Sequence, residues 1–142
     1  MLTRRENHLR ARDSDAKTAH TATVPSPSTT SVKIRLRVAC GPEDAFGPGK
    51  AQLLESLLET GSLNQSASAM KMSYVKALAL VRAMNGHFRG PLIELSRGGK
   101  QGGGTKVTDL GRQVLADYQL MREAAEAAVL PAWRRLRKRV KN

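Results

Sequence analysis

Acidic, aromatic and cysteine side chains are all scarce in this chain, and each scarcity removes a class of function. The 142 residues hold 12 Asp and Glu against 24 Lys and Arg, a formal charge of +12, so the natural partner is a polyanion. Two Phe, two Tyr and one Trp are too few for an interleaved stacking platform on single-stranded nucleic acid, which leaves a duplex or a membrane surface. Cys40 stands alone, so no internal disulfide forms; a small core residue closing a strand is the expected role, a redox sensor the alternative. His8, His20 and His87 are scattered without ligand spacing, and neither a metal nor a cofactor is expected. No Ser/His/Asp, Cys/His or paired-carboxylate set can be assembled, so the chain is not expected to be an enzyme. No apolar run nears the roughly 18 residues of a membrane span, and the polar residues after Met-Leu-Thr-Arg-Arg are not a secretory signal. A soluble protein of the cytoplasm is expected.

What is present divides the chain in three. Residues 1–31 carry Ser, Thr, Pro, His and mixed charge with few large apolar side chains, and are expected to form a disordered arm. Residues 32–130 are the folded part, with enough apolar residues for one core. Residues 131–142 form a basic tail: Arg134, Arg135, Arg137, Lys138, Arg139 and Lys141, with no acid, supply half of the net charge. Between Lys71 and Lys106 seven basic residues face a single acid, Glu94, so one surface of the folded part is cationic.

Periodicity predicts the elements of that part. Val32 to Val38 alternates apolar and basic residues, as a half-buried strand does. Gly41-Pro42 and Gly47-Pro48-Gly49 punctuate the chain before Leu53, Leu54, Leu57 and Leu58, which mark one face of a helix ending at Gly61. Ser62 caps a short second helix through Ala67 and Met70, and Ser73 caps a third whose Ala77, Val81, Met84 and Phe88 form a core stripe. Pro91 stops it; Leu92 to Ser96 and a return strand at Val107 make a hairpin around a glycine-rich loop. Thr108 caps a last helix, apolar at Leu110, Val114, Tyr118, Met121, Ala125 and Ala128, which Pro131 ends or bends. A tight turn between two short helices, then a third helix and a hairpin, is a winged helix-turn-helix: mainly α, with a small β-hairpin wing and a long C-terminal dimerisation helix.

Particular residues sharpen this. Leu53-Leu54, Thr60-Gly61-Ser62-Leu63, Met72-Ser73-Tyr74, Ala83-Met84-Asn85, Pro91-Leu92-Ile93-Glu94, the run Gly98 to Gly104 and Val107-Thr108-Asp109-Leu110-Gly111 resemble the N-terminal domain of ModE-type molybdenum-responsive regulators. More distantly the domain resembles the DNA-binding domain of LysR-type regulators. The resemblance covers about residues 33–128 and implies a dimeric DNA-binding transcriptional regulator. Leu78 stands where the family commonly carries Trp. Only the basic tail follows the domain here, where full-length regulators of the family continue into molybdate-binding modules, so molybdate binding is not expected.

The candidate DNA-binding residues follow from the fold. Ser73, Tyr74 and Lys76 open the third helix and Arg82 lies on its outer side, where base edges or phosphates are reached; capping and packing are the plainer roles of Ser73 and Tyr74. Ser62, Asn64 and Gln65 open the second helix, suited to a phosphate or simply to capping. Arg97, Lys100, Gln101 and Lys106 edge the wing, within reach of the flanking backbone or minor groove. The glycine run lacks the Gly-Lys-Ser/Thr ending of a nucleotide-binding loop. Leu110, Val114, Tyr118, Met121 and Ala125 are expected at a homodimer interface. The expected partner is double-stranded DNA rather than a membrane. A sequence-nonspecific architectural DNA-binding protein and an oxyanion-sensing or protein-interaction module are the alternatives.

Overall fold

A proline at the start of a helix loses nothing, because the first-turn N–H groups have no partner inside the helix. Pro48 accordingly opens α1 (Pro48–Thr60) in the computed structural model, which describes residues 30–97 and 104–141. Gly61 closes it at φ 63°, a left-handed conformation cheap only for glycine, and its N–H reaches the Leu57 carbonyl at 2.9 Å. Gly61 and Ser62 alone separate α1 from α2 (Leu63–Ala69), and the Ser62 Oγ accepts the Gln65 N–H at 3.3 Å. Lys71 then takes φ 54°, a conformation that costs a side-chain-bearing residue on the order of 1 kcal/mol, and so turns the chain into α3 (Tyr74–His87). Ser73 caps α3 through the Lys76 N–H at 3.2 Å.

The expected strand over Val32 to Val38 is corrected. Pairing is confined to β1 (Val38–Cys40) and β2 (Glu43–Phe46), joined by a tight turn at Gly41-Pro42, and residues 32–37 are not in a strand. The turn fixes the register, and β2 gives way to α1 at once, so no partner remains for the alternating residues upstream. Leu36 instead packs on the core, where its carbonyl accepts the Tyr118 hydroxyl at 2.9 Å, and Arg37 pairs with Asp44. Cys40 is exposed rather than in the core. Leu58, 37% exposed, lies at the edge of the α1 face that buries Leu53, Leu54 and Leu57.

α3 buries Ala77, Val81 and Met84 as expected, but ends at His87, ahead of Pro91. Phe88 leaves the helix and turns its ring edge-on to Phe46, at 6.1 Å between centroids. β3 (Ile93–Leu95) and β4 (Thr105–Val107) form the antiparallel hairpin, Ile93 opposite Val107. One cluster joins Phe46, Leu53, Leu54, Leu57, Leu63, Ala67, Ala77, Val81, Met84, Leu92, Ile93, Val107, Leu115 and Tyr118.

The last helix, α4 (Asp109–Arg137), starts from Thr108, whose Oγ1 accepts the Gly111 N–H at 3.0 Å. It runs through Pro131, so the boundary expected there falls inside a helix. Gly111, Leu115 and Tyr118 are its buried residues. Tyr118 is corrected as an interface residue: at 3% exposure it stacks edge-on to Phe46 at 5.1 Å and belongs to its own core. Burial pushes its phenol above the usual tyrosine range, and the Arg122 and Arg37 guanidiniums pull weakly the other way. Leu110 and Val114 are half-buried against that core, Met121 is 48% exposed, and Ala125 is half-buried. The 19 residues after Tyr118 extend about 28 Å with an apolar set that includes Leu120, Met121, Leu130 and Leu136 in solvent. No helix among the described residues is long and apolar enough to cross a membrane.

Candidate nucleic-acid interface

The stripe that α3 buries fixes what it presents. At about 100° per residue, Val75, Ala79, Arg82 and Gly86 fall opposite Ala77, Val81 and Met84, and all four are exposed. Tyr74 and Lys76, both exposed, flank this line on its two sides. No acid occurs from Lys71 to Arg89, so nothing on the helix repels a phosphate. Of the residues expected on this surface, Tyr74, Lys76 and Arg82 stand free of the core, and Ser73 serves as the cap. Val75 was not among the residues expected here, yet Val75 and Ala79 occupy the middle of the face. Their signal was present in the sequence as the positions diametrically opposite the apolar stripe.

The second helix and the wing are tied to each other and to this face. The Thr105 N–H donates to the Gly61 carbonyl at 3.1 Å, and Thr105 Oγ1 accepts the Leu63 N–H at 3.3 Å, so β4 grips the turn before α2. Two first-turn N–H groups of α2, those of Leu63 and Gln65, are thereby taken by protein oxygens. Asn64 and Gln65 keep exposed side chains. Ser66, fully buried, shares hydrogen bonds of 2.9 Å with Ser56 and Thr60 and holds α2 against α1. Ser62, Leu63, Asn64, Tyr74, Leu95, Ser96, Gly104 and Thr105 line one shallow hollow of about 120 Å³, where the starts of α2 and α3 meet the wing base.

Arg97 is exposed beyond the end of β3, and Lys106 is exposed opposite Glu94 in the ladder, whose carboxylate offsets part of its charge. Lys100 and Gln101 lie outside the described residues. Ser96 Oγ accepts the Gly104 N–H at 2.9 Å and donates to the Gly104 carbonyl at 3.0 Å, closing the wing below its tip.

Asn85 is the residue that joins wing to helix, and only its place in a family-like triplet drew attention to it in the sequence. Its Nδ2 donates to the Ile93 carbonyl at 2.8 Å, and its Oδ1 accepts the N–H groups of Leu92 and Ile93 at 2.9 and 3.1 Å. An alanine there strips a partner from three half-buried backbone groups. Asn85→Ala is expected to cost about 2 kcal/mol in urea unfolding and to loosen β3 first. Hydrogen exchange of the Leu92 and Ile93 amides checks this: protection equal to that of the native chain would remove Asn85 from its bracing role.

These elements make up a winged helix-turn-helix: α1 supports a helix pair, α2 and α3, and a β-hairpin wing lies beside them. Within that class the chain has named relatives. Over 85 residues it is 34% identical to the molybdenum transport protein ModE of Azotobacter vinelandii, covering 60% of this chain and 32% of that protein. Over 81 residues it is 38% identical to the transcriptional regulator ModE of Haemophilus influenzae, covering 57% and 32%. The DNA-binding transcriptional dual regulator ModE of Escherichia coli K12 is 31% identical over 81 residues, covering 57% and 31%. The chain thus spans about a third of the length of these relatives, and over that stretch it is homologous to the ModE proteins. No family model matches it.

Proposed function

We propose that this domain binds double-stranded DNA as a transcriptional regulator, laying the outer face of α3 in the major groove with the wing and the start of α2 against the flanking backbone. The observation that carries the reading is the acid-free exposed face of α3, whose first residue, Tyr74, borders the hollow at the wing base. Homology to proteins named as transcriptional regulators supports it. Ser62 and Ser73 contribute by holding helix starts, while Asn64, Gln65, Tyr74, Lys76, Arg82, Arg97, Lys100, Gln101 and Lys106 supply the contacts. A homodimer through the outer part of α4, including Met121 and Ala125, would set two such faces on half-sites about one helical turn, some 34 Å, apart.

Lys76→Ala tests the placement. Its side chain is exposed and its backbone N–H keeps the Ser73 cap, so the variant is expected to melt as the native chain does. Its affinity for a duplex recovered by selection from a randomised library is expected to fall about tenfold in fluorescence anisotropy. Unchanged affinity would contradict this position of α3.

The exposed cations from Arg134 to Lys141 favour a second reading, a nonspecific DNA-coating protein whose C-terminal end does most of the binding. Competition with random duplex separates the two, since a regulator prefers its site by roughly 10³-fold or more.

A further inference from the structure

Val75 is the most exposed large apolar side chain among the described residues, at 75%, and it sits in the first turn of α3 between Tyr74 and Lys76. Its position has no explanation in the fold. It lies opposite the buried stripe of Ala77, Val81 and Met84, and a β-branched residue gives an exposed helix less stability than alanine would. Its neighbours along the face are Ala79, a methyl side chain, and Arg82, with Lys76 to one side. The surface is therefore cationic at its edge and apolar at its leading point.

We propose that Val75 is a specificity-determining residue that packs on the 5-methyl group of a thymine in the major groove. The inference rests on the DNA-binding reading above and adds the base that is read. A valine side chain carries no donor or acceptor, and the one apolar feature that base edges present in the major groove is that methyl. Against cytosine or guanine the same side chain would cover an amino or carbonyl group without pairing it, which is unfavourable. Charge complementarity from Lys76 and Arg82 brings the duplex to the face, and the valine then discriminates one T·A pair per recognition helix. Tyr74 does not compete for this role, because it borders the hollow beside Asn64 and Leu95.

Uracil lacks only the methyl, so the test is atomic. A duplex selected from a randomised library by the full chain is resynthesised with deoxyuridine replacing thymidine one position at a time, and affinities of the native chain and Val75→Ala are compared. Burial of one methyl predicts a loss of about fourfold for the native chain at one position in each half-site, and no loss there for Val75→Ala. Selection repeated with Val75→Ala is expected to relax the preference for thymine at that position alone. If the native chain binds the duplex but no position shows a Val75-dependent uracil penalty, the thymine contact is overturned while the DNA-binding reading stands. If no duplex is enriched at all, both fall. Val75 is exposed, so matching melting curves for the two proteins are expected and exclude misfolding as the cause of any difference.

Discussion

Gly111→Ala is expected to destabilise the domain by at least about 3 kcal/mol and lower Tm by about 10–20 °C. A Cβ on Gly111 would stand 2.3 Å from the Leu92 carbonyl oxygen, 2.9 Å from a Val107 methyl and 3.2 Å from the Leu92 carbonyl carbon. Two of those atoms are backbone and cannot rotate away. The Leu92 oxygen is also held, since it accepts the Thr108 N–H at 2.9 Å and the Thr108 hydroxyl at 3.2 Å. Relief requires α4 to lift off the hairpin, which breaks the cap of α4 and pulls Leu92, Ile93 and Val107 from the core together. Gly86→Ala is the control, because a Cβ there meets only open space in a helix where alanine is the better former. Thermal melts of the two variants side by side should show a large fall and no fall. Equal melting for Gly111→Ala and the native chain would mean that α4 does not approach the hairpin so closely.

Gly111 also shows how far the sequence could be read. The caps were legible because a serine, threonine or glycine satisfies backbone groups within a few residues of itself: Ser62, Ser73, Thr108 and Gly61 end or begin helices where they were expected to. The core stripe of α3 was legible for the same local reason. Val32 to Val38 was not, since a strand exists only where another strand meets it, and the turn at Gly41-Pro42 gave β2 too little length to pair so far back. Pro131 was expected to end or bend the last helix, and it does not end it. It removes one donor to the carbonyl of Ala127, an exposed position where water can serve, and the helix continues. Tyr118 shares its period with Met121, yet one is buried and the other half in solvent, because the core that α4 meets stops between them.

Within the candidate site, charge was easier to read than phase. Lys76, Arg82, Arg97 and Lys106 stand on the surface as their charge requires, and a count of cations foretold their sign without their arrangement. Val75 escaped notice because it carries no charge, although its phase in the helix, opposite the stripe of Ala77, Val81 and Met84 that packs on the cluster beneath α3, puts it at the front. Asn85 escaped for a different reason: its three hydrogen bonds run to residues seven and eight positions away, across a turn whose path no local pattern specifies.

Raising salt from about 50 to 200 mM is expected to weaken binding of the selected duplex by about 10³–10⁵-fold, the loss for a dimer that neutralises six to ten phosphates. Lys71, Lys76, Arg82, Arg97 and Lys106 are exposed cations, so the two copies of a dimer supply ten before Arg89, the wing tip or the C-terminal end of α4 is counted. Not all of them need touch phosphate: Lys106 stands across from Glu94, and Arg82 lies on the line proposed to face bases. The slope of log affinity against log salt therefore measures how much of the surface engages. Replacing Arg134, Arg135 and Arg137 by Gln partitions it, because each phosphate deprived of its cation lowers the slope by about one per copy. A slope unchanged by that replacement assigns binding to the α3 face and wing. A slope that nearly vanishes assigns it to the C-terminal end and favours the DNA-coating protein. Affinity indifferent to salt in the native chain would mean that no phosphates are neutralised, and a duplex could not then be what this +12 surface binds.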